Sequence, residues 1–554
     1  MNFLWLDINA SFSHSSLAFP ALEAQLSSKV REQSVWKIVS GTTKSNKEQI
    51  ISQIIAAVPN YVFATGWLFN IEYLLSVLCR VRALEPQVKI VLGGPEFLGD
   101  NRHFLHSNPF VSAVFKGEGE EVFPKFIEAA IAGKENPWAT LPGFEYLFYT
   151  IDGQAEYIKS QAVAVKDFTS LVPPEESRFF NWSKAFIQLE TSRGCFNTCR
   201  FCISGIESLP IQNISIESIR ERLHNIADKG IKEIRVLDRT FNGNQMRAIE
   251  LLSLFEEFKG KLKFHLEVHP ALLNAAVKEK LAAVPHNLLH VEAGIQSLNE
   301  DVLHNCMRKG RAENALSGLE FLIKTERFEV HTDFIAGLPG YTYNNLLADI
   351  NRMIAVRPHE IQLELLKLLP GTCFRNESEK FGIKYSLQPP YEVLQTDEIS
   401  YDELYRCRVL SKIIEYWYND SAWRNIFASI VEDNPYFLRD FTTKLSGTDF
   451  LETIYSFESK SLILYTFCKE NFADCLPKVI LGWITNGLSI KKEPAAALKL
   501  WSFKEKIPAN PVFDEKEVGN SYYYIEQEHS RFWFVYNKKV SRNRPSVVFE
   551  EQLF

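Results

Sequence analysis

Cys195, Cys199 and Cys202 stand in the spacing C-x3-C-x2-C, while the remaining cysteines of the 554-residue chain are mostly scattered singly. Thiolate sulfur binds iron strongly, and close spacing limits the loop entropy lost when three ligands gather round one group. A [4Fe–4S] cluster normally takes four cysteines. Three leave one iron open to chelate a substrate or cofactor through an amine and a carboxylate. Zinc is the rival, although a tetrahedral structural site wants a fourth Cys or His and none lies near in sequence. Three inert buried thiols are the remaining alternative. The total of nine cysteines is odd, which argues against a secreted disulfide framework.

A loop of this kind needs a rigid element before it. Strand-like runs are expected at 185–190, 233–238, 263–268, 288–295, 329–335 and 361–366. Helical patterns at 216–226, 246–258, 272–281 and 312–324 fall between them. Six βα units predict a parallel barrel or partial (β/α)6 barrel. Polar residues collect at the expected strand ends: Glu190, Asp238, Arg239, Glu267, Glu292, Asp333 and Glu364. One such residue alone reads as a helix cap or an ion pair. Together, at the carboxyl rim of a barrel, they read as a site.

The cysteine run, with Phe201 in the aromatic place and Ser192-Arg193-Gly194 before it, resembles the signature of radical SAM enzymes. Val291-Glu292-Ala293-Gly294-Ile295-Gln296-Ser297 is similar to that family's fourth-strand motif. Asp333-Phe334-Ile335-Ala336-Gly337-Leu338-Pro339-Gly340 is similar to its fifth-strand, adenine-contacting motif. The resemblance covers about residues 180–370. It implies that the three cysteines hold a [4Fe–4S] cluster and that the open iron binds S-adenosylmethionine (SAM). One electron then cleaves SAM to a 5′-deoxyadenosyl radical. Contacts to SAM are implied for Phe201, Asp238, Glu267, Glu292, Gln296, Ile335 and Gly337. The family's Gly-Gly-Glu motif at the second strand is missing; Asp238-Arg239-Thr240-Phe241-Asn242 stands in its place.

Residues 1–135 alternate five short apolar runs with amphipathic stretches, which predicts a doubly wound, flavodoxin-like parallel sheet. Glycines gather after the later strands, where such sheets bind ligands, although glycine also serves plain tight turns. Gly93-Gly94-Pro95-Glu96 and Gly117-Glu118-Gly119-Glu120 resemble the signatures of the cobalamin-binding domain often placed before a radical SAM barrel. Cobalamin contacts are thereby implied for Ser13, His14, Ser15, Gly66, Gly93, Gly94, Pro95, Gly117, Glu118 and Gly119. A flavin or nucleotide site is the alternative for this domain. The Asp-x-His-x-x-Gly motif that supplies an axial ligand elsewhere is absent. His14 is a candidate ligand, but no carboxylate stands two residues before it to orient the ring, and a structural or substrate-facing histidine is the favoured reading.

The expected domains are a cobalamin-binding Rossmann-like domain over 1–135, a linker with some short strands over 136–180, a radical SAM barrel over 181–390 and a mostly helical domain over 391–554. The order, and the Pro389-Pro390-Tyr391 junction, resemble a branch whose C-terminal domain has no assigned role. The net charge of −7 argues against a broad nucleic-acid footprint. The basic, aromatic stretch 531–544 reads as a packed strand, with tRNA contact the lesser reading. Cys306 and Cys373 read as inert thiols. No apolar run is long enough for a membrane span and the first residues do not look like a signal peptide, so a cytoplasmic protein is expected. The expected activity is cobalamin-dependent radical methylation of an unactivated carbon through methylcobalamin. Rearrangement, cyclisation or redox chemistry without methylation is the alternative, and a non-catalytic sensor is a third class. Expected partners are a small-molecule substrate and a one-electron donor such as flavodoxin or ferredoxin.

Overall fold

In the computed structural model, which describes residues 1–11, 16–150, 152–206, 210–495, 499–500, 520–527, 530–537 and 544–552, the first apolar runs form one sheet. Its strands are β1 (Asn2–Asn9), β2 (Val35–Thr42), β3 (Tyr61–Thr65), β4 (Lys89–Gly93) and β5 (Ala113–Phe115). They pair in parallel in the order β2-β1-β3-β4-β5. This is the flavodoxin-like order, with its switch point between β1 and β3. β3 and β4 read as nearly unbroken apolar runs because both faces are covered, whereas the edge strand β2 alternates with exposed positions. Leu4, Leu6 and Ile8 pack with Ile50, Ile54 and Leu78 on one side. Phe3 and Trp5 pack with Phe19 and Phe126 on the other. Part of the stretch read as a linker extends this sheet by two antiparallel strands, β6 (Phe144–Tyr149) and β7 (Ala155–Ile158). Ser13, His14 and Ser15 lie outside the described residues.

The second sheet opens with β8 (Phe186–Leu189), followed by a short antiparallel pair, β9 (Ser192–Arg193) and β10 (Gln212–Asn213). It continues with β11 (Glu233–Val236), β12 (Lys263–Val268), β13 (Leu289–Gln296), β14 (Glu329–Ala336) and β15 (Glu360–Leu365). The order is β15-β14-β13-β12-β11-β8, as six successive βα units require. Along β12 to β14 buried apolar side chains alternate with polar ones, so Phe264, Leu266 and Val291 pack in the core while His265, Glu267 and Glu292 share the opposite face. Ser215, Asn244, Asn274 and Asn299 cap the helices that follow the strands by accepting from amides of the first turn.

The chain divides into two compact units, one of Met1–Tyr343 with Glu364–Leu404 and one of Asn344–Leu363 with Tyr405–Phe554. In the second unit Trp417, Phe427, Phe441 and Phe450 are fully buried together. Tyr418 donates to Pro358 O at 2.7 Å, and Asn419 both accepts from Ile361 N and donates to Ile361 O at 2.9 Å. Its far end is an antiparallel sheet of Lys499–Leu500, Asn520–Gln527, Ser530–Asn537 and Val547–Gln552. Trp533 and Phe534 are fully buried there, as a packed strand requires. No helix among the described residues is long and apolar enough to cross a membrane.

Candidate functional site

The three cysteines follow β9 on a turn that glycine makes possible, Gly194 having φ +102°. Asp238 anchors the start of that turn. It accepts from the amides of Thr191 and Ser192 at 2.8 and 2.9 Å and from both of their hydroxyls. Further on, Arg200 N donates to Cys306 O at 3.0 Å and Arg200 Nη1 to Asn305 O at 2.9 Å. Lys309 Nζ donates to Phe196 O at 3.0 Å. The cysteine loop is therefore held by the end of the helix Glu300–Asn305 and the residues just after it, as well as by its own strand.

Cys195, Cys199 and Cys202 line one wall of a cavity of about 180 Å³. Glu267 faces them from β12, Glu292 and Gln296 from β13 and Asp333 from β14, with Phe201 on the loop itself. Of the expected SAM contacts, Phe201, Glu267, Glu292 and Gln296 thus reach the cavity. Asp238, Ile335 and Gly337 do not line it. Asp238 is consumed by the turn it anchors, and a Cβ on Gly337 would press on Leu404 at 3.3 Å. Glu364 pairs with Lys367 and does not line the cavity.

The cavity also contains basic groups: Arg239, already named at an expected strand end, and Arg308 and His269, which the sequence did not single out. Arg308 Nη2 donates to Gly294 O at 2.6 Å and its charge favours the Cys199 thiolate, while burial pushes that thiol up. Arg239 stands at the end of β11, and His269 follows β12. Burial pushes Glu267 up to about 7, with Arg239 opposing and Glu292 adding to the rise. Burial, reinforced by Glu292 and Glu267, pushes Asp333 well above the usual carboxylate range. His269 is held down to about 4 by burial and by Arg308.

Several of these groups lack partners within the chain. Among the described residues, buried Asn197 Oδ1, Asp333 Oδ1 and both ring nitrogens of His269 have no hydrogen-bond partner. Unsatisfied buried polar atoms cost about 1–3 kcal/mol each, so the cavity suits a polar occupant. No three His, Cys, Asp or Glu among the described residues converge on one ion. Thiolates that each bind a separate corner of a cluster do not have to converge. This donor set therefore fits a three-cysteine iron–sulfur cluster with a polar co-ligand beside it.

A second, larger cavity lies at the carboxyl ends of β3 to β5. This crevice of about 330 Å³ is lipped by Gly93, Gly94, Gly117, Glu118 and Gly119 and floored by Trp5, Phe63 and Phe126. A Cβ on Gly94 would lie 2.7 Å from Gly66 O, and one on Gly117 only 2.2 Å from Val163 O. Gly66 and Pro95 stand behind the lip, where Gly66 N donates to Gly93 O at 2.7 Å. Glu96 is hydrogen-bonded to Tyr391, which also stacks on Arg375 at 4.2 Å. An apolar floor, narrow glycine lips and this volume fit the insertion of a flat, bulky group.

Arg193 links the crevice to the start of the cysteine loop. It lines the crevice two residues before Cys195 and contacts Glu120 at 2.9 Å, Glu190 at 2.6 Å and Glu118 at 3.6 Å, while stacking on Phe168 at 4.3 Å. Cys306 is fully buried, and burial raises both its thiol and that of Cys373.

Comparison with known proteins agrees with this layout. Residues 189–353 match the radical SAM superfamily and residues 379–473 match a protein family of unknown function, DUF4080. An uncharacterized methyltransferase of Pyrococcus horikoshii, PH0819, is 25% identical over 63% of this chain and 76% of its own length. The cobalamin-dependent radical SAM methyltransferase TokK of Streptomyces tokunonensis is 21% identical over 59% of this chain and 50% of its own. The cobalamin-dependent SAM radical enzyme OxsB, solved with aqua-cobalamin bound, superposes with a TM-score of 0.57 at 16% identity, covering 87% of this chain and 79% of that one. The radical SAM match lies over the second sheet, and the chain shares its fold with OxsB over 87% of its length.

Proposed function

We propose, with the radical SAM domain as premise, that this protein is a cobalamin-dependent radical SAM enzyme that transfers a methyl group to an unactivated carbon. When bound, the cluster and SAM supply a hydrogen-abstracting radical, and cobalamin supplies a methyl group that leaves by homolysis. The observation that carries the reading is the pairing of a three-thiol cavity, rich in unsatisfied polar atoms, with a glycine-lipped crevice whose lining includes Arg193, two residues before the first of the three cysteines.

Within that reading, Cys195, Cys199 and Cys202 hold the cluster. Glu292, Asp333 and Gln296 face the amine and hydroxyl groups of SAM, and Arg308 faces its carboxylate. Gly93, Gly94, Gly117 and Gly119 admit the cobalamin tail over the aromatic floor. Neutral His269 offers one donor and one acceptor to a polar occupant. The walls of both cavities exclude water from reactive species. The names of PH0819 and TokK support methyl transfer in particular. A donor of the flavodoxin or ferredoxin class supplies the electron, and the acceptor is a small molecule.

The test is anaerobic turnover of the reconstituted protein with methyl-labelled SAM. The expected products are 5′-deoxyadenosine together with a labelled methyl group on carbon. Deoxyadenosine with no methylated product would replace methylation by radical rearrangement, cyclisation or redox chemistry. Intact SAM would remove the enzymatic reading.

A further inference from the structure

The polar face of β12 to β14 continues past the cysteine cavity toward the amino-terminal ends of the strands, and the groups there have no part in the reaction above. His265 and His290 are cross-strand neighbours, and His331 is the neighbour of Glu292. Their rings stack in sequence, with centroids 4.7 Å apart for His265 and His290 and 4.1 Å for His290 and His331. His290 Nε2 lies 2.9 Å from His331 Nε2, so one ring donates its proton to the other. His265 Nε2 lies 3.1 Å from Glu292 Oε2. The carboxyl groups of Glu292 and Asp333 are within hydrogen-bonding reach, which requires a proton on one of them. At the other end His290 stands opposite Glu329, whose exposed carboxylate lies 3.4 Å from the partly exposed Lys263 ammonium.

Barrel interiors are normally filled by branched apolar side chains, because each buried polar group costs free energy unless it is bonded. Here three histidines and three carboxyls on neighbouring strands form a nearly continuous row from solvent to the site. We propose that Glu329, His290, His331, Glu292 and Asp333 form a proton path into the cysteine cavity, along which one proton enters when the cluster is reduced. The proposal rests on the cluster reading of that cavity. The electron comes from the one-electron donor and resides on the cluster. The proton comes from water beside Glu329; N–H and O–H bonds along the row break and re-form, and the last O–H bond forms on Glu292. No bond within the cluster changes.

Electrostatics supplies the coupling. Glu267 from β12 and Asp333 from β14 face Glu292, with His265 and His331 beside it and Arg239 and Arg308 across the cavity. An added electron in a cavity walled by carboxylates is disfavoured, and a proton on Glu292 cancels its charge. His290 is held neutral by burial and by its histidine neighbours, which leaves it one donor and one acceptor, as a relay needs. Asp333 keeps its proton while Glu292 is ionised by its bond to His265, so the pair has room for one more.

The experiment uses the full-length protein with its cluster reconstituted anaerobically and no substrate. EPR-monitored titration gives the midpoint potential against pH, and a pH-indicator dye follows proton uptake after photoreduction. The wild type is expected to show a potential that falls by about 59 mV per pH unit, one proton for each electron. Glu292→Gln should flatten that slope. His290→Gln and His331→Gln should keep the slope but slow proton uptake at least tenfold. Iron content and thermal melting show whether each variant is folded and loaded, and slower uptake by the wild type in D2O tests the path without any substitution. A pH-independent wild-type potential, or uptake that is indifferent both to D2O and to the histidine substitutions, overturns the path. If the wild type forms no [4Fe–4S] cluster by EPR, the cluster reading itself falls, and the path with it.

Discussion

Arg193 Nη1 lies 2.9 Å from Glu120 Oε1, and this contact ties the crevice of the first sheet to the loop that carries the cysteines. Glu118 and Glu190 complete a ring of three carboxylates about one guanidinium whose side chain is only 19% exposed. Removing the cation leaves three negative groups facing one another, Glu120 buried and Glu118 and Glu190 half-buried. Arg193→Gln is expected to destabilise the fold by about 3–5 kcal/mol. Cobalamin retention and iron content should decline together, measured by denaturant titration and visible absorption. Lysine should rescue only part of this, because it lacks the planar fork that reaches several carboxylates at once.

Cys195→Ala should abolish cluster retention while leaving the protein folded, since Cys195 is only partly buried and its Sγ makes a long 3.8 Å contact to Thr240. Iron and acid-labile sulfide are expected near background, with no 5′-deoxyadenosine from SAM. Retention of a full complement of iron would assign the cluster to other ligands.

Gly94→Val tests the crevice on its own. With φ +106° and a neighbouring carbonyl 2.7 Å from the new Cβ, the lip must deform. Cobalamin retention is expected to fall more than tenfold, a loss above about 1.4 kcal/mol of binding. Cluster content and SAM cleavage should persist. Equal loss of all three activities would mean that this glycine serves the fold rather than the ligand.

Glu267 sets a pH dependence on the empty protein. Folded, it keeps its proton up to about pH 7, mainly because it is buried; unfolded, it releases that proton near its ordinary value. Between those limits the folded state binds more protons, so its contribution to stability falls as pH rises toward 7. The full shift corresponds to roughly 3 kcal/mol. Urea titrations of wild type and Glu267→Gln at pH 5 and pH 7.5 should show the wild type losing more stability across the interval. Parallel losses would place the cost elsewhere.

What the sequence made legible was whatever depended on local pattern. β3 and the helix Ala312–Lys324 fall where apolar periodicity puts them, because a strand covered on both faces and a one-sided helix leave unmistakable spacings. The cysteine spacing is likewise local. Short strands were expected within the linker that holds β6 and β7, but their joining of the first sheet was hidden, because it depends on β5 as a pairing edge. Asp238 reads from sequence as a rim carboxylate facing a ligand, yet four donors of Thr191 and Ser192 occupy it. Arg239 was legible as a strand-end residue, but His269 and Arg308 join it only when the strands align, so no spacing announces them.

The division of the chain also dictates an order of events during synthesis. Ile361 receives its bonds from Asn419, made 58 residues later, and the carbonyl of Pro358 waits for Tyr418. As the polypeptide leaves the ribosome, the segment 344–363 emerges before the helices it packs with. The segment 344–363 therefore completes its packing only once residues 405–554 follow, and a protein trimmed back to residue 390 would leave that segment without those partners and prone to self-association.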